Sequence, residues 1–131
     1  MDRGGWLVVV AVAVGSAVGG IARHVLTEAV VRVVGPGFPW GTVVVNVSGS
    51  LATGVVTALA SSAGDWPPVW RHAAVTGVLG GYTTFSAFSL QTVSLLQQGH
   101  TVAALMNVGV SVALGVAACW VGYAATAALV R

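Results

Sequence analysis

The chain has 131 residues, 56% of them hydrophobic and 6% charged, with a formal net charge of +2. A mean hydropathy of +0.93 excludes an ordinary soluble domain, in which about 25% of residues are charged. Five basic against three acidic residues also leave no charged surface for nucleic acid. The composition is that of a small membrane protein.

A spanning helix needs about 20 apolar residues to cross about 30 Å of hydrocarbon, and four segments meet that length. They run over residues 6–34, 40–63, 69–98 and 101–130, so the expected fold is all-α, one transmembrane domain over residues 1–131. The first segment is uncharged until Arg23, and His24, Glu28 and Arg32 mark its far end emerging into the headgroups. An N-terminal secretory signal is the rival reading of "MDRGGWLVVVAVAVGSAVGG", but the apolar run continues to spanning length and three more segments follow. Gly and Pro in "GPGFP" and "GDWPP" separate the first three segments, and "QQGH" precedes the fourth. Trp6, Trp40, Trp66 and Trp70 fall at segment ends, the depth at which indole rings anchor to the interface. Cys119 lies alone in an apolar run, which excludes a disulfide framework within the chain.

With four spans, Arg3, Arg71 and Arg131 lie on one side of the membrane, and Arg32 and Arg23 lie on the other. The positive-inside rule finds almost no bias in three against two. A chain with so little preference is able to insert either way up, which admits an antiparallel pair of identical chains; the plain alternative is that so few charges carry no message.

Polar side chains are costly in hydrocarbon unless they find partners or line a watery path. In the second segment Thr42, Asn46, Ser50, Thr53 and Thr57 recur at spacings of three and four, one stripe along a helix face. In the fourth, Asn107, Ser111 and Gly115 recur at four. Helix packing is the plain explanation for small and hydroxyl residues, and it suits Gly15/Gly19 and Gly77/Gly81 well. Asn46 is less easily absorbed, because a whole amide at mid-segment needs several partners.

From His72 to Val130 there is no Asp, Glu, Lys or Arg, yet that run holds "GGYTTFSAFS". Gly80 and Gly81 are poor helix formers and the hydroxyls of Thr83, Thr84 and Ser86 compete for backbone groups. A helix break over Gly80–Thr83, near the middle of the third span, is therefore expected. Carbonyls exposed at such a break are able to hold a cation. Beyond it Phe85 and Phe88 share one helix face, and a small anion fits against the electropositive edges of aromatic rings.

These motifs carry a resemblance. "GGIARH" in the first segment, "FPWGTVVVNVSGS" in the second and "GVLGGYTTFSAFS" in the third resemble the Fluc family, also called CrcB, of fluoride ion channels. The resemblance covers nearly the whole chain. It implies a passive, fluoride-selective channel in the cell membrane that exports cytoplasmic fluoride and confers fluoride resistance. It further implies an antiparallel dual-topology dimer, of identical or related chains, with two pores and a central structural sodium ion. By position, Asn46, Phe85 and Phe88 resemble the groups that meet fluoride, with Thr42, Ser86, Ser111 and Asn107 along the pore. Arg23 resembles a vestibule residue, and the backbone carbonyls of Gly80 and Thr83 resemble the sodium ligands. Ala87 stands where the family commonly has Thr, which removes one hydroxyl contact.

Fluoride is small and strongly hydrated, so stripping its water calls for several donors at once, and a fixed cation would bind it too tightly to release. Enzymatic chemistry has no support in the sequence: carboxylates are not clustered, and His24, His72 and His100 sit near segment ends. The stronger rival is a small four-span proton-coupled drug or cation exporter. That requires a titratable acid within a span, and Glu28 is the one candidate.

Overall fold

The computed structural model describes residues 2–62 and 66–130. The expected end of the second span at Ala63, Gly64 and Asp65 of "GDWPP", and Arg131 of the charge balance lie outside the described residues.

Helix α1 spans Arg3–Val34, and its first turn is capped by Asp2, whose carboxylate accepts from the Gly5 N–H at 2.9 Å. At the far end Gly35 adopts φ 82°, a left-handed value that glycine reaches without strain, and returns its N–H to the Val31 carbonyl at 2.8 Å. Helix α2 spans Trp40–Ser62 and follows directly on Pro39, whose carbonyl takes the Val43 N–H. The third segment comes in pieces. Helix α3 (Pro68–His72) leads into a π-helical stretch over Ala73–Leu79 and then α4 (Gly80–Tyr82). Helix α5 (Phe85–Gln97) follows, and α6 runs over Thr101–Leu129. Between α5 and α6, Gly99 at φ 79° closes a Schellman turn, with His100 N–H on the Leu95 carbonyl and Gly99 N–H on that of Leu96.

Among the described residues the chain is helical with no strand. Helices α1, α2 and α6 are each long and apolar enough to cross a membrane, with mean hydropathies of 2.1, 1.7 and 2.0 over their most apolar stretches. This is a multi-pass membrane protein. No single helix of the third segment reaches spanning length, because Thr83 and Thr84 are extended at ψ 157° and 116°.

That extended pair lies later than the glycines suggest. Gly80 and Gly81 are helical, Gly80 at φ −66° and ψ −37°. Small size serves packing at Gly81 instead: a Cβ there would come within 2.6 Å of the Ser16 carbonyl oxygen and 2.8 Å of its Cα. Gly15 and Gly77 meet in the same seam, a Cβ on Gly77 lying 3.1 Å from the Gly15 Cα, and Gly19 is pressed against Val78 and Tyr82. The two glycine pairs thus interlock α1 with the stretch 73–82. Without them the helix backbones would be held apart by side chains.

Helix α2 packs most extensively on α6. Gly54 faces the backbone of Cys119 and Tyr123, and Gly122 faces Leu51 and Val55. The buried apolar core is small, comprising Val43, Val45, Ala58, Phe88, Leu95 and Ala104. Val10, Val14, Val18, Ile21 and Val25 leave one face of α1 exposed and apolar, which suits hydrocarbon or another helix better than water.

Candidate functional site

Asn46 projects from the second turn of α2 toward the extended pair. Its Oδ1 accepts the Thr84 N–H at 2.7 Å and its Nδ2 donates to the Thr84 carbonyl at 2.9 Å. Both amide atoms are engaged by one residue's backbone, as a neighbouring strand would engage it, so Thr84 is satisfied while lying outside the helix ladder. One Nδ2 hydrogen remains for something else. The Thr84 hydroxyl then caps α5, accepting from the Ala87 N–H at 3.1 Å and pairing with the Ser86 hydroxyl at 3.1 Å.

These bonds release two carbonyls. In a continuous helix the Thr84 N–H would serve the Gly80 carbonyl, and the Ala87 N–H would serve that of Thr83. The first goes to Asn46 and the second to the Thr84 hydroxyl. Arg23 of α1, half-buried, reaches the Thr83 carbonyl with its Nη1 at 3.4 Å. That is at the long limit of a hydrogen bond. Ser48 and Tyr82 add a hydroxyl pair at 2.8 Å between α2 and α4, which holds α2 in register with the extended residues.

A cavity of about 390 Å³ opens at this point. Helix α2 lines it with Asn46, Ser50 and Thr53, and α6 lines it with Ser111, Val112, Gly115, Val116 and Cys119. Thr83, Thr84, Phe85 and Phe88 complete the wall, and among the described residues no charged side chain contributes. The two rings lie with centroids 5.4 Å apart, tilted at 46°. Phe88 is buried, whereas Phe85 is 79% exposed in the single chain.

Of the residues singled out in the sequence, Asn46, Phe85, Phe88, Ser111 and Thr83 therefore meet in one cavity. Thr42 is buried at the start of α2, outside that wall, and Ser86 is exposed beside it with its hydroxyl on Thr84. Asn107 is fully buried and does not line the cavity. Gly80 and Arg23 stand behind it, at the released carbonyls. Ser50, Thr53 and Gly115 belong to the polar stripes but were not singled out as site residues. The sequence marks Thr84 only by its hydroxyl, and no spacing signals that its backbone is the group Asn46 binds.

The family model for CrcB-like protein, Camphor Resistance (CrcB), matches residues 10–123. The chain belongs to the CrcB family. A Fluoride-specific ion channel FluC of Paramagnetospirillum magneticum is 44% identical over 122 residues, covering 92% of this chain and 95% of that protein. Fluoride-specific ion channel FluC 2 of Bradyrhizobium diazoefficiens is 47% identical over 118 residues, or 88% and 85% of the two chains. Fluoride-specific ion channel FluC 1 of Rhodopseudomonas palustris is 44% identical over 114 residues, 86% of this chain and 81% of that one. These CrcB relatives are named as ion channels, not as enzymes. In this CrcB chain the three sequence motifs come together: Arg23 of the first bonds Thr83 of the third, and Asn46 of the second bonds Thr84.

Proposed function

We propose that this CrcB chain forms a passive, fluoride-selective channel that lets fluoride leave the cytoplasm across the cell membrane. The observation that carries the reading is the uncharged cavity in which an amide, several hydroxyls and two phenylalanine rings converge. The names of the relatives supply the ion.

The free Nδ2 hydrogen of Asn46, the hydroxyl of Ser50 and the ring edges of Phe85 and Phe88 replace water around the anion, and Ser111 and Thr53 join them when their hydroxyls turn from Asn107 and the Gly49 carbonyl. Each is a partial charge, so the ion is held weakly enough to leave. Arg23 raises the local anion concentration from behind the wall without occupying the path. Hydrogen fluoride enters cells as a neutral molecule and dissociates inside. An inside-negative potential contributes about 2.3 kcal/mol per charge per 100 mV, so an open pore expels the anion without coupled transport.

The functional unit in this reading is an antiparallel homodimer with two pores, each chain contributing four spans, the third broken at Thr83 and Thr84. The exposure of Phe85 and of the α1 face supports a covering partner. A structural sodium ion at the dimer centre fits the chemistry of the released Gly80 and Thr83 carbonyls, because unwound backbone oxygens suit a hard monovalent cation. Such an ion would supply fixed positive charge and join the two chains. Each carbonyl oxygen has two lone pairs, so the Thr83 oxygen that accepts from Arg23 would keep one for a cation.

Nothing in the site favours the exporter reading, since Glu28 is exposed on α1 beside His24 and Arg32, apart from this cavity. The test is purified protein in liposomes under a potassium gradient with valinomycin, read by a fluoride electrode. Voltage-driven fluoride efflux with chloride retained is expected. Chloride moving as fast as fluoride, or no fluoride flux, would sink the proposal.

A further inference from the structure

We infer that Thr92 and Asn107 are positioning residues for Phe88, forming a latch between α5 and α6 just behind the cavity. The inference rests on Phe88 lining the fluoride path.

Asn107 is the largest polar side chain that is wholly buried, at 0% exposure. An amide there is costly unless its groups are paired. Its Nδ2 donates to the Thr92 hydroxyl at 2.9 Å, and its Oδ1 accepts from the Ser111 hydroxyl at 3.4 Å. The Thr92 hydroxyl donates in turn to the Phe88 carbonyl at 2.8 Å. A threonine bonding back one turn along its own helix is commonplace. The bond from α6 gives it consequence. A hydroxyl has one proton, and that of Thr92 is directed at Phe88, so its lone pair is what meets the Asn107 amide. The relay therefore runs from α6 through Thr92 to the backbone of Phe88.

Phe88 is bracketed as a result. One turn before it, Thr84 is held to α2 by Asn46; one turn after it, Thr92 is held to α6 by Asn107. The stretch of α5 backbone that carries the ring can neither slide nor tilt away from α2 and α6 without breaking one of these contacts. Positioning of this kind matters for a small ion, because donors misplaced by about 1 Å no longer converge.

The test compares Thr92→Val, Thr92→Ser, Asn107→Leu and the Thr92→Val/Asn107→Leu double variant with the parent chain. All are isolated as monodisperse protein, reconstituted at equal protein density and read by fluoride efflux. Thr92→Val and Asn107→Leu should each lower flux about tenfold, the scale of one lost buried hydrogen bond. The double variant should lose clearly less than the product of the two single losses, because the Asn107–Thr92 bond is common to both. Thr92→Ser, which restores the hydroxyl, should recover flux to within about twofold. A merely structural role would lower the yield of monodisperse protein and leave the flux of what survives unchanged. Full flux in both single variants, multiplying losses in the double, or no rescue by Ser would each overturn the latch while leaving the channel intact. A parent chain that carries no fluoride overturns the channel reading, and the latch with it.

Discussion

Asn46 and Phe85 separate structural from conductive roles within one cavity. Asn46 holds Thr84 with both ends of its amide, so its replacement affects the backbone as well as the lining. Asn46→Asp keeps an acceptor for the Thr84 N–H but loses both donors, and it places a carboxylate where a charge costs about 2.5–3.5 kcal/mol. Fluoride flux should disappear and the thermal midpoint should fall. A conducting Asn46→Asp protein of parental stability would show that the Nδ2 donors do not matter. Phe85 behaves differently, because at 79% exposure its ring adds little to the core of one chain. Phe85→Ile should therefore stop fluoride efflux while changing the stability of the folded chain by less than about 1 kcal/mol, as surface substitutions do. Parental flux from Phe85→Ile would remove the ring edges from the mechanism.

The helix seam between α1 and residues 73–82 distinguishes two adjacent glycines that look alike in the sequence. A methyl at Gly80 would find its nearest neighbour, the Val75 carbonyl oxygen, at an ordinary 3.6 Å, whereas one at Gly81 would collide with the Ser16 backbone at 2.6 Å. Backbone atoms in a packed helix cannot give way cheaply. Gly80→Ala should thus be tolerated, with a gain in helix propensity of up to about 1 kcal/mol, while Gly81→Ala should lower the thermal midpoint and the yield of folded protein. Equal behaviour of the two variants in a melting experiment would contradict the seam. The same pair shows where sequence reasoning stops. Spacing of four made the packing role of Gly15/Gly19 and Gly77/Gly81 legible, and the polar stripe pointed to Asn46, Ser50 and Thr53. Low helix propensity, however, placed the interruption at Gly80–Thr83. Gly81 packs on Ser16 within a helical turn, and Asn46 draws out Thr84 instead, both being tertiary effects that no local pattern encodes. Thr92 was equally silent, since one threonine in an apolar run has no meaning until Asn107 of α6 is placed beside it.

Across the whole molecule the sparse charge is itself informative, because the four-span reading of the sequence puts Arg3, Arg71 and Arg131 on one side and Arg32 and Arg23 on the other. Arginine bias sets orientation, and here it is close to balanced, as a chain inserted both ways up requires. The proposed antiparallel dimer makes a demand that a parallel dimer or a lone chain does not: both orientations must coexist in one membrane. Adding a short lysine run beside Arg3 weights one side, and adding it beside Gly37 weights the other. Either variant expressed alone should insert one way, lack antiparallel partners and show little fluoride efflux. Expressed together, the two should restore it, because each supplies the orientation the other lacks. Impermeant labelling of a terminal tag would confirm that each variant is uniformly oriented. Full flux from one uniformly oriented variant would show that the pore needs no antiparallel partner, and would leave the exposed Phe85 to lipid or to a parallel neighbour.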